Sequence, residues 1–557
     1  MKLTGAIILR TLLERQGIRI LSGMPGGANL PLYDALHESH IQHVLARHEQ
    51  GAGFIAQGQA RATGRAAVCL ATSGPGATNL LTAIADARLD SIPLVAITGQ
   101  VPQALIGTDA FQEVDTYGLT VPITKHNFLV RSARELLEVI PLAFEIAESG
   151  RPGPVVVDVP KDVLQASIEV SSWPVPGKGQ PTPPCADAQI DELARQLHAA
   201  ARPVLYIGGG AANTRAAASL RQLSQREDLP SVCTLMGLGV MNADAPLHMG
   251  MLGMHGLKGT NVLLNEADFI FAIGARFDDR ATGKLAEFCP SATIAHVDID
   301  PSEIGKNKKA HLALIGDAAD VAERLASRME TKRRPEWRDR ALELKRQYPL
   351  HAPADEPLHP VNVIRALAAS LPGDSIVTTD VGQHQMWVAQ AYPFSEPRTL
   401  QTSGGLGTMG FGLPAAIGAA LAAPGRRGLC VSGDGSILMN VQELATLAEW
   451  NLPVKTVIFN NANLGLVRQQ QQLFYGGRYS ASRLDKAPDF AALARAFGIP
   501  ACRIDRDTED PLAALREALS GDGPCVVDLQ IHETTNVYPM VPPGAANHQT
   551  ITEPAYA

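Results

Sequence analysis

One stretch constrains this chain more than any other. Residues 428–432 form an apolar run of strand length, and Gly433-Asp434-Gly435-Ser436 follows without a break. A helix-like pattern over 437–450 comes next, then a second apolar run over 454–459, closed by Asn460-Asn461. Short apolar runs bounded by turn residues are buried strands, and two of them joined by a helix make one parallel β-α-β crossover. A parallel sheet needs helices on both faces, so a chain holding this unit is an α/β protein. The crossover also puts a polar cluster just past the end of each strand, with Asn461 at position +27 from Asp434. Strand ends of this kind, beside a helix N-terminus, hold phosphates and their metals. Mg²⁺ takes a few protein oxygens while keeping phosphate oxygens in its octahedron. The Asp434 carboxylate, the Asn461 amide oxygen and a nearby carbonyl meet that demand, and the glycines let backbone approach a diphosphate. The plainer alternative is a strand-helix turn capped by Asp434; an Asn-Asn pair closing the crossover weighs against it.

The same alternation runs through the rest of the chain. Strands are predicted at 18–22, 43–46, 67–71, 93–98 and 155–158, and again at 203–207, 268–275 and 293–297, each followed by a polar or glycine-rich turn. The Pro- and Gly-rich stretch 171–187 reads as a linker, and the charged, proline-containing stretch 330–360 as a second boundary. At 557 residues the chain is too long for one core. Three domains are expected, 1–172, 188–335 and 358–545, each a parallel sheet flanked by helices. The first and last share an architecture without sharing a sequence repeat.

Several function classes drop out. A net charge of −8 with no dense basic patch gives no footprint for nucleic acid. No run of ~18 apolar residues suits a membrane span. The first residues lead into an amphipathic helix interrupted by Arg10, Glu14 and Arg15, which is not a signal-peptide core. Seven scattered cysteines indicate neither disulfides nor zinc. A cytoplasmic multi-domain enzyme is expected. Glu49 stands out at a strand end, followed by the uncharged run Gln50-Gly51-Ala52-Gly53-Phe54-Ile55-Ala56. Burial there disfavours the charged form, and a proton-carrying carboxyl can trade its proton with a bound heterocycle. Its other reading is a simple helix cap.

The blocks RHEQGA at 47–52, TSGPGATN at 72–79, GTDAFQEVD at 107–115, GRPGPV at 150–155, GMLGMHG at 250–256, GARFDDR at 274–280, GLGTMGFGLPAA at 405–416 and VPPGAAN at 541–547, with PGG at 25–27, KHN at 125–127 and DVGQHQMW at 380–387, extend the pattern over nearly the whole chain. In these blocks the chain resembles the catalytic large subunits of acetohydroxyacid (acetolactate) synthases, thiamine-diphosphate enzymes with three α/β domains. The resemblance implies a cofactor held between the first domain of one subunit and the last domain of another, so that a homodimer is the smallest active unit. It implies that Glu49 exchanges a proton with the aminopyrimidine. It also implies that Pro25, Gly26, Thr72, Pro75, Asn79, Gln383, His384, Met409, Gly433, Asp434, Gly435, Ser436, Asn461, Asn463, Leu464 and Gly465 bind thiamine diphosphate. Asp434, Asn461 and the Asn463 carbonyl would take Mg²⁺.

Pyruvate would lose CO₂, and the two-carbon fragment would join a second 2-keto acid, pyruvate or 2-ketobutyrate. Phe111, Gln112, Lys161 and Met254 would line the substrate pocket. Arg280 would pair with the acceptor carboxylate, as a guanidinium suits; its alternative is an ion pair with Asp278 or Asp279. Gly208-Gly209-Gly210 lacks the third glycine of a dinucleotide fingerprint and is weak by itself. FAD is implied by resemblance alone, at Arg151, Gly208, Gly209, Gly210, Thr234, Leu235, Met236, Leu252, Gly253, Met254, His255, Gly274, Ala275, Arg276, Asp278, Arg280, Asp298, Ile299, Asp317 and Ala318. One position departs from the pattern: Gln470 stands where relatives that favour 2-ketobutyrate usually carry Trp. A separate regulatory small subunit is a further expectation. A related thiamine and flavin enzyme, such as a pyruvate oxidase or another carboligase, is the alternative function.

Overall fold

The computed structural model describes residues 1–552 and contains three six-stranded parallel sheets in succession. In the first, the strands lie in the order Gln42–Leu45, Ile20–Gly23, Ala67–Ala71, Leu94–Gln100, Pro154–Pro160, His126–Leu129. Numbered along the domain, that order is 2-1-3-4-6-5. The third sheet repeats it with Leu400–Gln401, Ile376–Thr379, Gly428–Gly433, Val454–Asn460, Cys525–Gln530 and Ala501–Ile504. The middle sheet runs His248–Met251, Ser231–Cys233, Pro203–Ile207, Phe269–Ile273, Thr293–Asp298, Leu312–Ile315, which is 3-2-1-4-5-6. That is the order of the dinucleotide-binding doubly wound fold, whose ligand crevice opens where the order reverses. A short antiparallel pair, Lys2–Thr4 with Ser167–Glu169, ties the two ends of the first domain together.

Side chains alternate across each strand as the two-residue period requires. In the first sheet Val68, Leu70, Val95, Ile97, Val155 and Val157 pack under Gly5–Arg15 and Leu136–Glu148, while Cys69, Ala71, Leu94, Ala96 and Val156 face the other side. That other side is filled by small residues because two further helices cross there. Glu49–Thr63 lies on Gly412–Ala422 of the last domain so closely that a Cβ on Gly58 would come within 2.1 Å of the Ala415 carbonyl oxygen. A Cβ on Gly418 would reach 1.9 Å from the Ile55 carbonyl oxygen. Gly418→Ala therefore forces the two helices apart. Overpacking of this kind costs about 1–3 kcal/mol, so the midpoint of thermal inactivation is expected to fall. An unchanged midpoint would show that the helices slide without penalty.

Two sequence expectations change in the structure. The single helix expected over 437–450 is two pieces, Asp434–Ile437 and Glu443–Glu449. Between them Asn440 turns its amide to the Gly410 carbonyl at 2.8 Å and to Gln50 at 3.3 Å, partners that lie outside the crossover. The charged stretch 330–360 carries a helix, Pro335–Gln347, whose Trp337, Ala341 and Leu344 are buried in the core of the middle domain. Trp337 Nε1 also donates to the Pro203 carbonyl at 2.9 Å. The Pro/Gly-rich 171–187 is extended up to the helix Asp187–Ala199. Residues 531–552 cross back to the middle domain, where Val541 N donates to the Met254 carbonyl at 2.7 Å and Asn547 Nδ2 to that of Ala281 at 2.8 Å.

Candidate active site

The third sheet ends in a clasp of oxygens. Gly428–Gly433 and Val454–Asn460 pair in register, Gly433 opposite Phe459, so Asp434 and Asn461 emerge side by side. Asp434 Oδ2 and Asn461 Oδ1 both lie 3.2 Å from the backbone nitrogen of Asn463, which brings a carboxylate and an amide oxygen onto one point. Asn463 Nδ2 donates to the Asn461 carbonyl at 2.7 Å, and Asp434 Oδ1 accepts from Gly435 N at 2.9 Å. Burial pushes the Asp434 carboxyl up to about 6, against the pull of these N–H groups. A cation would relieve that buried charge, and one carboxylate with amide oxygens is a hard-cation donor set.

Around the clasp, Gln383 Oε1 accepts from Asn461 Nδ2 at 3.1 Å, and Ser436 Oγ accepts from Gly433 N at 3.1 Å. A Cβ on Gly465 would sit 2.1 Å from Gln383 Oε1, and one on Gly435 2.4 Å from Leu464 Cδ2. His384 is buried with Nε2 unpartnered, and burial holds its ring well below the usual imidazole range, at about 3. A neutral, unsatisfied ring nitrogen beside this clasp is a polar group awaiting a ligand. Met409 is half-buried on the loop that follows Ser403.

A second cluster forms in the first domain. Glu49 is the first residue of its helix, with His48 Nδ1 accepting from Gln50 N at 3.1 Å as cap, and its Oε2 accepts from Asn79 Nδ2 at 2.9 Å. Sequence reasoning expected this carboxyl to be desolvated; in the single chain it is half-buried. A Cβ on Gly76 would meet Thr72 at 2.8 Å and Glu49 Oε1 at 3.3 Å, and one on Gly26 would meet Thr72 at 2.5 Å. Pro75 opens the helix that carries Asn79, and the Gln112 carbonyl lies against Gly74, 2.7 Å from where its Cβ would be. Gly26, Thr72, Pro75, Asn79, Gln112 and Glu49 thus share one strip, with Pro25 beside them in sequence. The hydrogen bond of the Glu49 carboxylate, from Asn79, stays inside the first domain.

The third cluster is a cavity of about 1270 Å³ at the switch point of the middle sheet, larger than an ordinary small-ligand pocket. It is lined by Arg151, Gly209, Gly210, Thr234, Leu235, Met236, Leu252, Met254, His255, Gly274, Ala275, Arg276, Asp278, Arg280, Asp298, Ile299, Asp317, Ala318 and Gln470. Gly208 and Gly253 sit behind its wall instead. A Cβ on Gly208 would fall 2.0 Å from the Gly274 carbonyl oxygen, and one on Gly253 2.3 Å from that of Arg280. Their part is to let neighbouring backbone close up. His255 Nδ1 is buried and unpartnered at this cavity. Asp317 caps the following helix through Ala319 N and Asp320 N, both at 3.0 Å, and burial raises the Asp298 carboxyl to about 6.

Arg280 has the ion pair that sequence offered as its alternative, but Nε to Asp279 Oδ2 is 3.7 Å with the two side chains 69% and 82% exposed. Such a pair is worth little, so the guanidinium is free to turn. Its Nη1 lies 3.6 Å from Met254 Sδ. Phe111 is 88% exposed, and Phe111, Gln112 and Lys161 do not line the large cavity with Met254, Arg280 and Gln470. Sequence reasoning missed two buried groups. Asp86 and Asp90, paired with Arg61 at 3.3 and 2.8 Å, reach across to the 403–408 loop, where Asp90 accepts from Gly404 N and Gly405 N at 3.0 and 2.7 Å. Asp158 is the other. Single acids far apart in the chain carry no motif.

Two thiamine-type halves around a dinucleotide-type middle define a thiamine pyrophosphate enzyme. Family models agree: the thiamine pyrophosphate enzyme N-terminal TPP binding domain matches residues 3–119, the central domain 190–325 and the C-terminal TPP binding domain 380–529. The acetolactate synthase isozyme 1 large subunit of Escherichia coli is 53% identical over 99% of this chain and 98% of its own length. The isozyme 2 large subunit of the same organism is 48% identical over 97% of each, and the acetolactate synthase of Mycobacterium bovis 46% identical over 98% of this chain and 91% of its own. The chain belongs to the acetolactate synthase family, as a large subunit and a thiamine-diphosphate-dependent enzyme. No helix among the described residues is long and apolar enough to cross a membrane.

Proposed function

We propose that this enzyme decarboxylates pyruvate and condenses the two-carbon unit with a second 2-keto acid, giving 2-acetolactate from pyruvate and 2-aceto-2-hydroxybutyrate from 2-ketobutyrate, in branched-chain amino acid synthesis. The convergence of Asp434 Oδ2 and Asn461 Oδ1 on one point, beside the unsatisfied His384 ring, carries this reading. Asp434, Asn461 and the Asn463 carbonyl would hold Mg²⁺, and Gly433 to Ser436 would face the diphosphate. Thiamine diphosphate, when bound, supplies the cationic ring that takes up the electron pair released with CO₂. The chain's own part is to anchor that ring, to hold a proton at Glu49, and to place the acceptor. Arg280 would fix the acceptor's carboxylate with its two-pronged guanidinium, and Gln112 would donate to the developing alkoxide.

The switch-point cavity, its glycine walls and the unpartnered His255 Nδ1 support FAD in the middle domain. The net reaction transfers no electrons, so that flavin is structural. A homodimer completes the site. Phe111 and Met439 are bare apolar side chains at the mouths of the two thiamine halves, and a second copy would cover them. A separate regulatory subunit fits the large-subunit relatives, and adding one should change activity or inhibition by an amino acid. Seven free cysteines, six of them buried, suit a reducing compartment such as the cytoplasm. Incubating the protein with pyruvate, thiamine diphosphate, Mg²⁺ and FAD tests the reading: acetolactate should accumulate, and acetate with oxygen uptake matching CO₂ release would identify an oxidase instead.

Gln470 lies exposed at the edge of the cavity that holds Arg280. It offers no aromatic face to the extra methyl of 2-ketobutyrate, and one such group is worth ~1–3 kcal/mol. Gln470→Trp is expected to raise the acetohydroxybutyrate-to-acetolactate ratio by roughly 10-fold or more in mixed-substrate assays. An unchanged ratio would remove position 470 from the specificity argument.

A further inference from the structure

A smaller hollow of about 240 Å³ lies behind the loop that carries Phe111 and Gln112, apart from the three clusters above. Asp158 faces it from the strand Pro154–Pro160, paired in register with Thr98 and 1% exposed. Its Oδ1 accepts from Thr98 Oγ1 at 2.6 Å and its Oδ2 from Gln100 Nε2 at 3.0 Å. The same Gln100 Nε2 donates to the Val114 carbonyl at 2.9 Å, while Gln100 Oε1 accepts from Val101 N at 2.8 Å. Every polar atom of the Gln100 amide is therefore committed, and its orientation is set by the carboxylate behind it.

Val114 closes the loop in front. The loop is folded on its own Glu113, whose carboxylate accepts from Gly107 N, from Thr108 N at 3.2 Å and from Ala110 N at 3.1 Å. Gln112 holds a left-handed backbone, φ 59°, with its carbonyl against Gly74. The loop is thus a stiff unit, and the Gln100–Val114 bond joins that unit to the sheet. We propose that Asp158, acting through Gln100, is a positioning residue for the Phe111–Gln112 loop and sets where Gln112 meets the substrate. This rests on the reading of Phe111 and Gln112 as substrate-pocket residues.

The arrangement depends on charge. Burial raises the Asp158 carboxyl to about 7, opposed by the Thr98 and Gln100 bonds and reinforced by Asp115. The groups facing it across the hollow are Glu113, Asp115 and Tyr117; among the described residues no base lines the hollow to offset them. On a protonated Asp158 the hydrogen goes to Oδ1, where the Thr98 hydroxyl can accept it, and Oδ2 still accepts from Gln100 Nε2 but as a neutral oxygen. The charge assistance of the Gln100 bond is then gone, and the amide that holds the Val114 carbonyl is held less firmly. The Gln100 tether is accordingly strongest with Asp158 ionised, well above pH ~7, and weakens as pH falls through that value.

Asp158→Asn, assayed with pyruvate at saturating thiamine diphosphate, Mg²⁺ and FAD, tests this. At about pH 8 kcat and kcat/KM for pyruvate should both fall roughly 10-fold, as for weakening a charge-assisted hydrogen bond that aims Gln112 at the developing alkoxide. The acid limb of kcat/KM near pH 7 in the parent should vanish in the variant. Gln100→Met, which removes the relay but leaves the carboxyl, should give the same loss in kcat and kcat/KM and keeps the test open if Asp158→Asn misfolds. Unchanged kinetics in both variants, or a loss that keeps the acid limb and comes with a lowered thermal midpoint, would overturn the proposal. Phe111→Ala, run in parallel, separates the two layers. If it leaves kcat/KM unchanged, the substrate-pocket reading fails and takes the proposal with it; if it lowers kcat/KM while Asp158→Asn does not, only the relay fails.

Discussion

Glu49→Gln is expected to lower acetolactate formation by roughly 10²–10⁴-fold, the range for removing a positioned acid-base group. The substitution is chosen for what it keeps. Gln retains an oxygen that can accept from Asn79 Nδ2, now at 2.9 Å, and it leaves the His48 cap of the helix in place. Neighbours packed on the strip, Gly76 and Thr72, see a side chain of the same size. Only the ionisable proton is gone. Cofactor retention and the unfolding midpoint should therefore stay near those of the parent, and the loss should fall on turnover. If Glu49→Gln makes acetolactate as fast as the parent, the carboxyl is a helix-start residue and nothing more.

The second large effect concerns retention of the cofactor. Asp434→Ala removes the carboxylate from the clasp, so thiamine diphosphate and Mg²⁺ should half-saturate at concentrations at least ~100-fold higher. Heating curves give a readout independent of turnover. A ligand that binds only the folded protein stabilises it by about 2.7 kcal/mol at 100 times its dissociation constant. In the parent, adding Mg²⁺ and thiamine diphosphate should raise the unfolding temperature; in Asp434→Ala that rise should disappear. Without cofactor the variant should be little changed, because the carboxyl is itself buried at a cost, as its raised pKa of about 6 records. A full cofactor-induced rise in the variant would place the metal elsewhere.

Much of this was legible in the sequence because it is local. The strands at 67–71 and 203–207 match the structure residue for residue, since a short apolar run between turns has few other solutions. Asp434 and Asn461 could be paired from spacing because one crossover joins them. The 437–450 helix was misread because what bends it, Gln50 and Gly410, comes from outside the window. The strand order 3-2-1-4-5-6 of the middle sheet is a long-range fact, so its crevice could not be located from a triple glycine. Asp158 was silent for the same reason: an aspartate within an apolar strand shows its meaning only when Thr98, Gln100 and the Val114 carbonyl are placed around it.

The bond from Asn547 Nδ2 to the Ala281 carbonyl spans 266 residues, and Val541 closes on Met254 beside it. A ribosome adds about 5–20 residues per second and domains fold largely as they emerge. The middle sheet can therefore form early in translation, while the rim of its cavity near Met254 and Arg280 waits many seconds for a segment not yet made. During that interval nascent chains carry a half-built vestibule, with surface exposed that the finished enzyme covers.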